Sequence, residues 1–249
     1  MTTPPPGTPC WADLWTNDPE ASRRFYSGLL GWEAGEADPE YGGYFMWLRD
    51  GGPAAGGMGP MGDQRADDRW KPYFATADIE ASLTRVTAAG GQALGPATPV
   101  DQLGVQALVT DPTGAAFGLW QPIEFGGFAA TGVPGTPSWF ELHTADHAAA
   151  VAFYRDALDF DISPMSDTDD FRYSTFGSGG IMDSRASVAP GGAAWAIYWE
   201  VDDLDTALER VAALGGRVGS GPDDTPWGRL GVATDPSGAE FRLRTSARG

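Results

Sequence analysis

Apolar and polar positions along the chain follow two periods, and they trade places in a fixed order. In Trp11–Thr16 they alternate, so Trp11, Asp13 and Trp15 share one face of a strand while Ala12 and Leu14 share the other. Asp18-Pro19 then offers a helix cap and a proline for the first turn, Ala21, Phe25 and Leu29 recur at helical spacing, and Gly31 ends the run. Three short apolar stretches read as a meander: Trp32–Ala34, Tyr44–Leu48 and Ala54–Met58, the last two separated by Asp50-Gly51-Gly52. A polar loop is expected from Met61 to Arg69. The order then restarts with a strand at Trp70–Ala75 and a helix at Ile79–Ala89, with Ile79, Leu83 and Val86 facing inward and Gly90-Gly91 as its stop. Two strands flank Asp111-Pro112-Thr113-Gly114, which fits a type I turn position by position. The second of them is Ala115–Gln121.

The whole pattern then repeats. Trp11-Ala-Asp-Leu-Trp15 returns as Trp139-Phe-Glu-Leu-His143, and Asp18, Phe25 and Tyr26 return as Asp146, Phe153 and Tyr154 at the same offset. A helix is expected from Asp146 to Leu158 and a loop over Pro164–Asp170. Gly179-Gly180-Ile181-Met182 answers Gly56-Gly57-Met58, and Trp195–Tyr198 answers Trp70–Tyr73. Leu204, Leu208, Val211 and Leu214 form a helix stripe before Gly215-Gly216, and Asp235-Pro-Ser-Gly238 repeats the turn. The expected division is a tail over residues 1–8, a first module over 9–121, a Gly/Pro/Ala-rich linker over 122–136 and a second module over 137–245.

Composition narrows the function classes. Asp and Glu number 34 against 16 Lys and Arg, a formal charge of -18 with no basic run, which disfavours nucleic acid and anionic membrane surfaces. No stretch of about eighteen apolar residues and no leader pattern is present, so the expectation is a cytoplasmic protein. The lone Cys10 fits a reducing compartment and reads as a small apolar residue at a strand start. Ten Trp, seven Tyr and twelve Phe beside 35 Gly suggest short strands, tight turns and aromatic-lined hollows.

The Phe-Tyr helices, the Gly-Gly-(Ile)-Met strands, the Val201-Asp-Asp helix start and the Asp-Pro-(Thr/Ser)-Gly turns resemble the vicinal oxygen chelate superfamily, which includes glyoxalase I, extradiol dioxygenases and bleomycin-binding proteins. The Trp-x-(Asp/Glu)-Leu-x-Thr strands and the stretch Thr110–Gln121 are similar to tandem glyoxalase-like proteins of actinobacteria. The resemblance implies an α+β fold of two tandem modules, each of paired βαβββ units forming a curled, cup-shaped sheet. It also implies that the modules can meet as a pseudo-dimer within one chain, so that either a monomer or a homodimer is expected. In the family, His and Glu ligands hold a metal in the cup. Their positions fall here on Trp11 and Trp139, Lys71 and Ala196, Gly118 and Arg242, with no carboxylate or imidazole in the Gly-Gly-Met strands. None of those side chains ligates a divalent ion, so no metal and no cofactor is expected. An unusual metal site from Asp13, Glu141 and His143 is the one alternative.

Within such cups, strand parity gathers Trp139, Glu141, His143, Tyr198, Glu200, Glu240, Arg242 and Arg244 in the second module. His143 and Glu141 suit acid–base work and Arg242 can clamp an oxyanion; the alternative is internal pairing of Glu141, Glu240 and Arg242, with His143 a bystander. The first module presents Trp11, Asp13, Trp15, Tyr73 and Trp120, which suit stacking on a flat ligand or simply fill the cup as core. His147 is expected to face solvent, and Asp167–Asp170 and Asp223-Asp224 to be solvated loops. The leading expectation is metal-independent binding of an apolar or aromatic metabolite or antibiotic. The alternative is a metal-independent lyase, isomerase or cyclase using His143, Glu141 and Arg242, with a metal-dependent glyoxalase or dioxygenase ranked last.

Overall fold

A computed structural model of the chain describes residues 3–60, 62, 65–168, 171–185 and 192–246. Four successive segments repeat one plan. The first is β1 (Pro9–Trp15), α1 (Pro19–Leu30), β2 (Glu33–Ala34), β3 (Phe45–Arg49) and β4 (Gly52–Met58). The second is β5 (Arg69–Ala75), α2 (Ile79–Ala88), β6 (Gln92–Ala93), β7 (Thr98–Val100), β8 (Gly104–Thr110) and β9 (Ala116–Pro122). The third is β10 (Pro137–Thr144), α3 (His147–Leu158), β11 (Ser163–Asp167), β12 (Arg172–Phe176) and β13 (Gly179–Asp183). The fourth is β14 (Ala194–Glu200), α4 (Leu204–Ala213), β15 (Arg217–Thr225), β16 (Gly228–Thr234) and β17 (Glu240–Ser246). In each, the last strand runs parallel to the first, as β4 does to β1 and β13 to β10, and the meander between is antiparallel. The helix is the crossover that a parallel pair requires.

Every helix starts on an aspartate. Asp18, Asp78, Asp146 and Asp203 each accept from the backbone N–H three residues on, at 2.7–3.0 Å, satisfying an otherwise orphaned donor. Gly31 closes α1 in the left-handed region at φ 72°.

Two compact units emerge, and each draws on both sequence repeats. Unit one comprises residues 1–11, 71–127 and 140–195; unit two comprises 12–70, 128–139 and 196–249. In unit one, α2 lies beside α3, and Phe74, Phe117, Phe153, Tyr154, Phe160 and Trp195 form an aromatic core. In unit two, α1 lies beside α4, where Gly28 seats the Leu214 side chain, and Tyr26, Trp32, Trp47, Trp70, Trp199 and Phe241 fill the interior. Burial of such rings, each withdrawing on the order of 150–250 Å², supplies most of the driving force.

The structure corrects four local expectations. Residues 163–167 form β11 rather than loop, because Ser163–Asp167 finds an edge on β12; 169 and 170 lie outside the described residues. Asp223 and Asp224 are exposed but sit in β15, paired with Leu230 and Arg229. Arg69 belongs to β5 rather than to the preceding loop, of which residues 61, 63 and 64 lie outside the described residues. His147 is buried at 9 % exposure, not solvent-facing, since α3 packs against β13 and the ring bonds to the Ile181 backbone.

Candidate functional site

Two adjacent ionisable side chains of unit one lie along β10. Alternation sends Glu141 and His143 to one face, and Nε2 of His143 lies 2.9 Å from Oε1 of Glu141. The other carboxylate oxygen, Oε2, accepts from the Tyr173 hydroxyl at 2.7 Å. The remaining ring nitrogen, Nδ1, is 2.9 Å from Oγ of Ser184. Tyr173, Glu141, His143 and Ser184 therefore form one continuous series of hydrogen-bonding groups. Glu141, Tyr173 and Ser184 are buried, and the His143 ring is the most open member, with 17 % of its side chain exposed.

A glycine makes room for this series. Glu141 stands opposite Gly180 in the β10–β13 pairing, and a methyl group on Gly180 would overlap the Tyr173 hydroxyl. Unit two contains the counterpart from the first repeat. Asp13 stands opposite Gly56, the Tyr44 hydroxyl donates to Asp13 Oδ1 at 2.8 Å, and a methyl on Gly56 would overlap that hydroxyl. A phenol on a buried carboxylate is thus a feature of both repeats. Sequence reasoning missed Tyr173, Tyr44 and Ser184; the available signal was a tyrosine one strand away from a glycine that faces a carboxylate.

The other expected residues divide between the units. In unit one, Trp11 and Trp120 are buried around Phe125, with ring centroids 4.9 and 6.0 Å from it and edge-on geometry, and Trp120 Nε1 donates to the Phe125 carbonyl at 2.8 Å. Tyr73 is buried over Gly118, where any side chain would overlap its ring, and its hydroxyl reaches Gln106 Oε1 at 3.4 Å. In unit two, Trp15 and Trp139 are half-buried. Arg242 pairs with Glu240 at 3.1 Å and lies 6.0 Å over the Tyr198 ring, a cation–π distance. Glu200 accepts from Ser246 N–H at 2.6 Å, while its Oε2 is buried with no hydrogen-bond partner among the described residues. Arg244 donates to the Trp227 carbonyl at 3.0 Å. An open polar hollow in the same unit is lined by Asn17, Asp18, Arg65, Asp68 and Ser237.

Burial shapes the electrostatics of two further groups. His147 has its pKa lowered, first by desolvation and then by the Arg172 charge. The Cys10 thiol is pushed up to about 12 by burial and donates to the Tyr73 carbonyl at 3.4 Å, which makes it an inert core residue. No helix among the described residues is long and apolar enough to cross a membrane.

Two family models match the chain: the glyoxalase-like domain over residues 11–120 and the glyoxalase/bleomycin resistance protein/dioxygenase superfamily over 136–243. An anthracycline biosynthesis protein, DauV, of Streptomyces sp. (strain C5) is 37 % identical, covering 98 % of this chain and 94 % of its own. The putative glyoxylase CFP32 of Mycobacterium tuberculosis is 34 % identical, covering 95 % and 94 %. Among solved structures, the 2,3-dioxygenase LapB of Pseudomonas sp. KL28 superposes with a TM-score of 0.68 at 16 % identity, covering 99 % and 94 % of the two chains. A Mn(II)-bound glyoxalase of Novosphingobium aromaticivorans gives 0.67 at 18 %, covering 97 % and 84 %. At those identities the likeness fixes the fold alone, two tandem vicinal oxygen chelate modules of paired βαβββ units.

The described residues offer no ready cradle for an ion such as the Mn(II) of the Novosphingobium glyoxalase. Tyr73 fills the space over Gly118, and the Tyr44 and Tyr173 hydroxyls fill the space over Gly56 and Gly180, so no ligating side chain can be added at those strand positions without displacing a buried ring. His143 has both ring nitrogens engaged and Glu141 both oxygens. Among the described residues no group of three or more His, Cys, Asp or Glu is placed to hold an ion.

Proposed function

Because the chain belongs to the glyoxalase/bleomycin resistance protein/dioxygenase superfamily, we propose that it is a metal-independent member that binds an apolar, aromatic small molecule and moves a proton on it with His143 and Glu141. The observation that carries this reading is the Tyr173–Glu141–His143–Ser184 series, in which a partly open imidazole is backed by a buried carboxylate. Such a pair suits general acid–base chemistry: the carboxylate orients the ring and offsets its charge when it is protonated. A lyase, isomerase or cyclase reaction on a ligand with an acidic C–H or O–H fits. The relatives named for anthracycline biosynthesis support a planar polycyclic aromatic as the ligand class. Within unit two, Arg242 is proposed to hold an oxygen of a ligand bound there, with Tyr198, Glu200, Arg244, Trp139, Asp13 and Trp15 as proposed contacts; Trp11, Tyr73 and Trp120 are proposed contacts within unit one.

A second reading, binding without turnover, is favoured by the hydrogen bonds at both nitrogens of His143, one of which would have to be exchanged before the ring took a proton from a ligand.

The experiment is tryptophan-fluorescence titration with an anthracycline, before and after exhaustive chelation, with metal analysis and native mass spectrometry of the purified chain. Binding that survives chelation supports the proposal. A stoichiometric divalent ion whose removal abolishes binding overturns it. On any molecule the protein turns over, His143→Ala is expected to lower kcat by about 10²–10⁴-fold; unchanged turnover in that variant leaves only the binding reading.

A further inference from the structure

The two nitrogens of His143 face chemically different partners, and this decides which of them is basic. Glu141 already accepts a phenolic hydrogen on Oε2 and turns Oε1 toward Nε2 at 2.9 Å. An ionised carboxylate has no hydrogen to give, so the hydrogen of that contact sits on Nε2. In the neutral ring Nδ1 then carries the lone pair, 2.9 Å from Ser184 Oγ, and the serine hydroxyl donates to it. In the protonated ring both nitrogens are donors, and the same hydroxyl turns to accept. A serine serves both states where an amide or a carbonyl serves one.

Ser184 is held by the ladder that carries His143. His143 stands opposite Met182 and Thr144 opposite Asp183 in the β10–β13 pairing; one step on, Ser184 N–H donates to the Thr144 carbonyl at 2.7 Å. Ser184 is only 4 % exposed, so its hydroxyl has little freedom to leave the ring.

We propose that Ser184 is a positioning residue that holds Nδ1 as the basic nitrogen of His143, so that a proton enters and leaves the imidazole on the Ser184 side. The role in chemistry rests on the acid–base reading above; the tautomer does not. Glu141 sets the tautomer from one edge of the ring and Ser184 completes it from the other, which leaves Tyr173 to hold the carboxylate.

The test is long-range ¹H–¹⁵N correlation spectroscopy of the full chain, without any ligand. The sequence contains two histidines, so His143→Gln assigns the ring. At a pH where the ring carries one hydrogen, the expected wild-type tautomer is Nε2–H. In Ser184→Ala the tautomer stays, and the Nδ1 resonance moves toward that of a lone pair without a donor; Ser184→Thr restores it. A wild-type Nδ1–H ring overturns the proposal, and so does an Nδ1 resonance that Ser184→Ala leaves in place. If Ser184→Ala fails to fold, the wild-type tautomer and the threonine variant decide: the wild-type resonance kept in Ser184→Thr supports it, and an Nδ1–H ring in either overturns it. If the tautomer is as expected while His143→Gln leaves turnover unaltered, the acid–base reading fails and the Ser184 assignment stands.

Discussion

Tyr154 donates its phenolic hydrogen to Oδ2 of Asp111 across 3.0 Å, and the same oxygen of Tyr154 accepts from Trp195 Nε1 at 3.0 Å. All three lie in unit one, although the sequence places Asp111 in the first repeat and Tyr154 and Trp195 in the second. Unit two reproduces the contact with the repeats exchanged: Trp70 donates to Tyr26 at 2.9 Å, and Tyr26 bonds to Asp235. Asp111 uses Oδ1 for its own turn, accepting from the N–H groups of Thr113 and Ala115. The Phe-Tyr helices and the Asp-Pro turns recur because each locks onto the other within a unit.

Removing the phenol breaks that lock. Tyr154→Phe leaves the Trp195 N–H without its acceptor and takes a donor from a buried carboxylate, at a cost of roughly 1–3 kcal/mol. Urea denaturation measures it. A loss below a few tenths of a kcal/mol would show that the contact is incidental.

The same carboxylates predict a pH dependence. Desolvation raises the pKa of Asp111 and of Asp235 above the ordinary carboxylate value. Their folded-state pKa lies above the unfolded one, so their contribution is present below the unfolded pKa of about 3.9 and is lost as pH rises through the folded value. Asp111→Asn/Asp235→Asn is therefore expected to gain on the wild type as pH climbs from about 3 to 7. Parallel stability curves would exclude this linkage.

Much of this was legible in the chain. The Asp18 cap and its repeat at Asp146, the Phe-Tyr helices and the glycine stops announce the repeat because each is a local requirement of the backbone, while the caps at Asp78 and Asp203 emerged only in the structure. The exchange of repeats between units was not legible, since apolar spacing reports that a helix face is covered and not by which partner. Glu141 and His143 were visible together because two residues along a strand share a face. Ser184 and Tyr173 reach the same pair from the end of β13 and from β12, and no spacing rule connects them to it. His147 misled because the first turn of a helix is commonly exposed, and only the meander shows what covers it.

That buried histidine gives a second acid-sensitive term of opposite sign. His147 has its folded pKa depressed by burial and by Arg172, partly offset by Asp183 and Asp167 and by a bond to the Ile181 backbone. Its contribution is present above the unfolded value of about 6.5 and is lost as pH falls through that value toward the folded pKa. His147→Gln is expected to flatten the stability profile between about pH 7 and 5, measured by thermal melts. A slope equal to that of the wild type would mean that the ring is not the group titrating.

Gly180 predicts a strict substitution beside the His143–Glu141 pair. A methyl group there overlaps the Tyr173 hydroxyl, and Tyr173 is the residue that holds Glu141 Oε2. Gly180→Ala must therefore push the phenol off the carboxylate, at about 1–3 kcal/mol by overpacking and with Glu141 losing a donor. The methyl would meet Cζ of Tyr173 as well as its hydroxyl, so Gly180→Ala/Tyr173→Ala, which removes the whole ring, should be less costly than the two single losses added together, a coupling that a double-mutant cycle reads directly. Strict additivity would show that the glycine is there for the backbone instead. A cycle on Gly56 and Tyr44 extends the test to the Asp13 side, where the methyl would meet Asp13 Oδ1 as well as the Tyr44 ring. Coupling at both places would establish the phenol–carboxylate–glycine arrangement as the element the two repeats share, and His143 with Ser184 as what the second repeat adds to it.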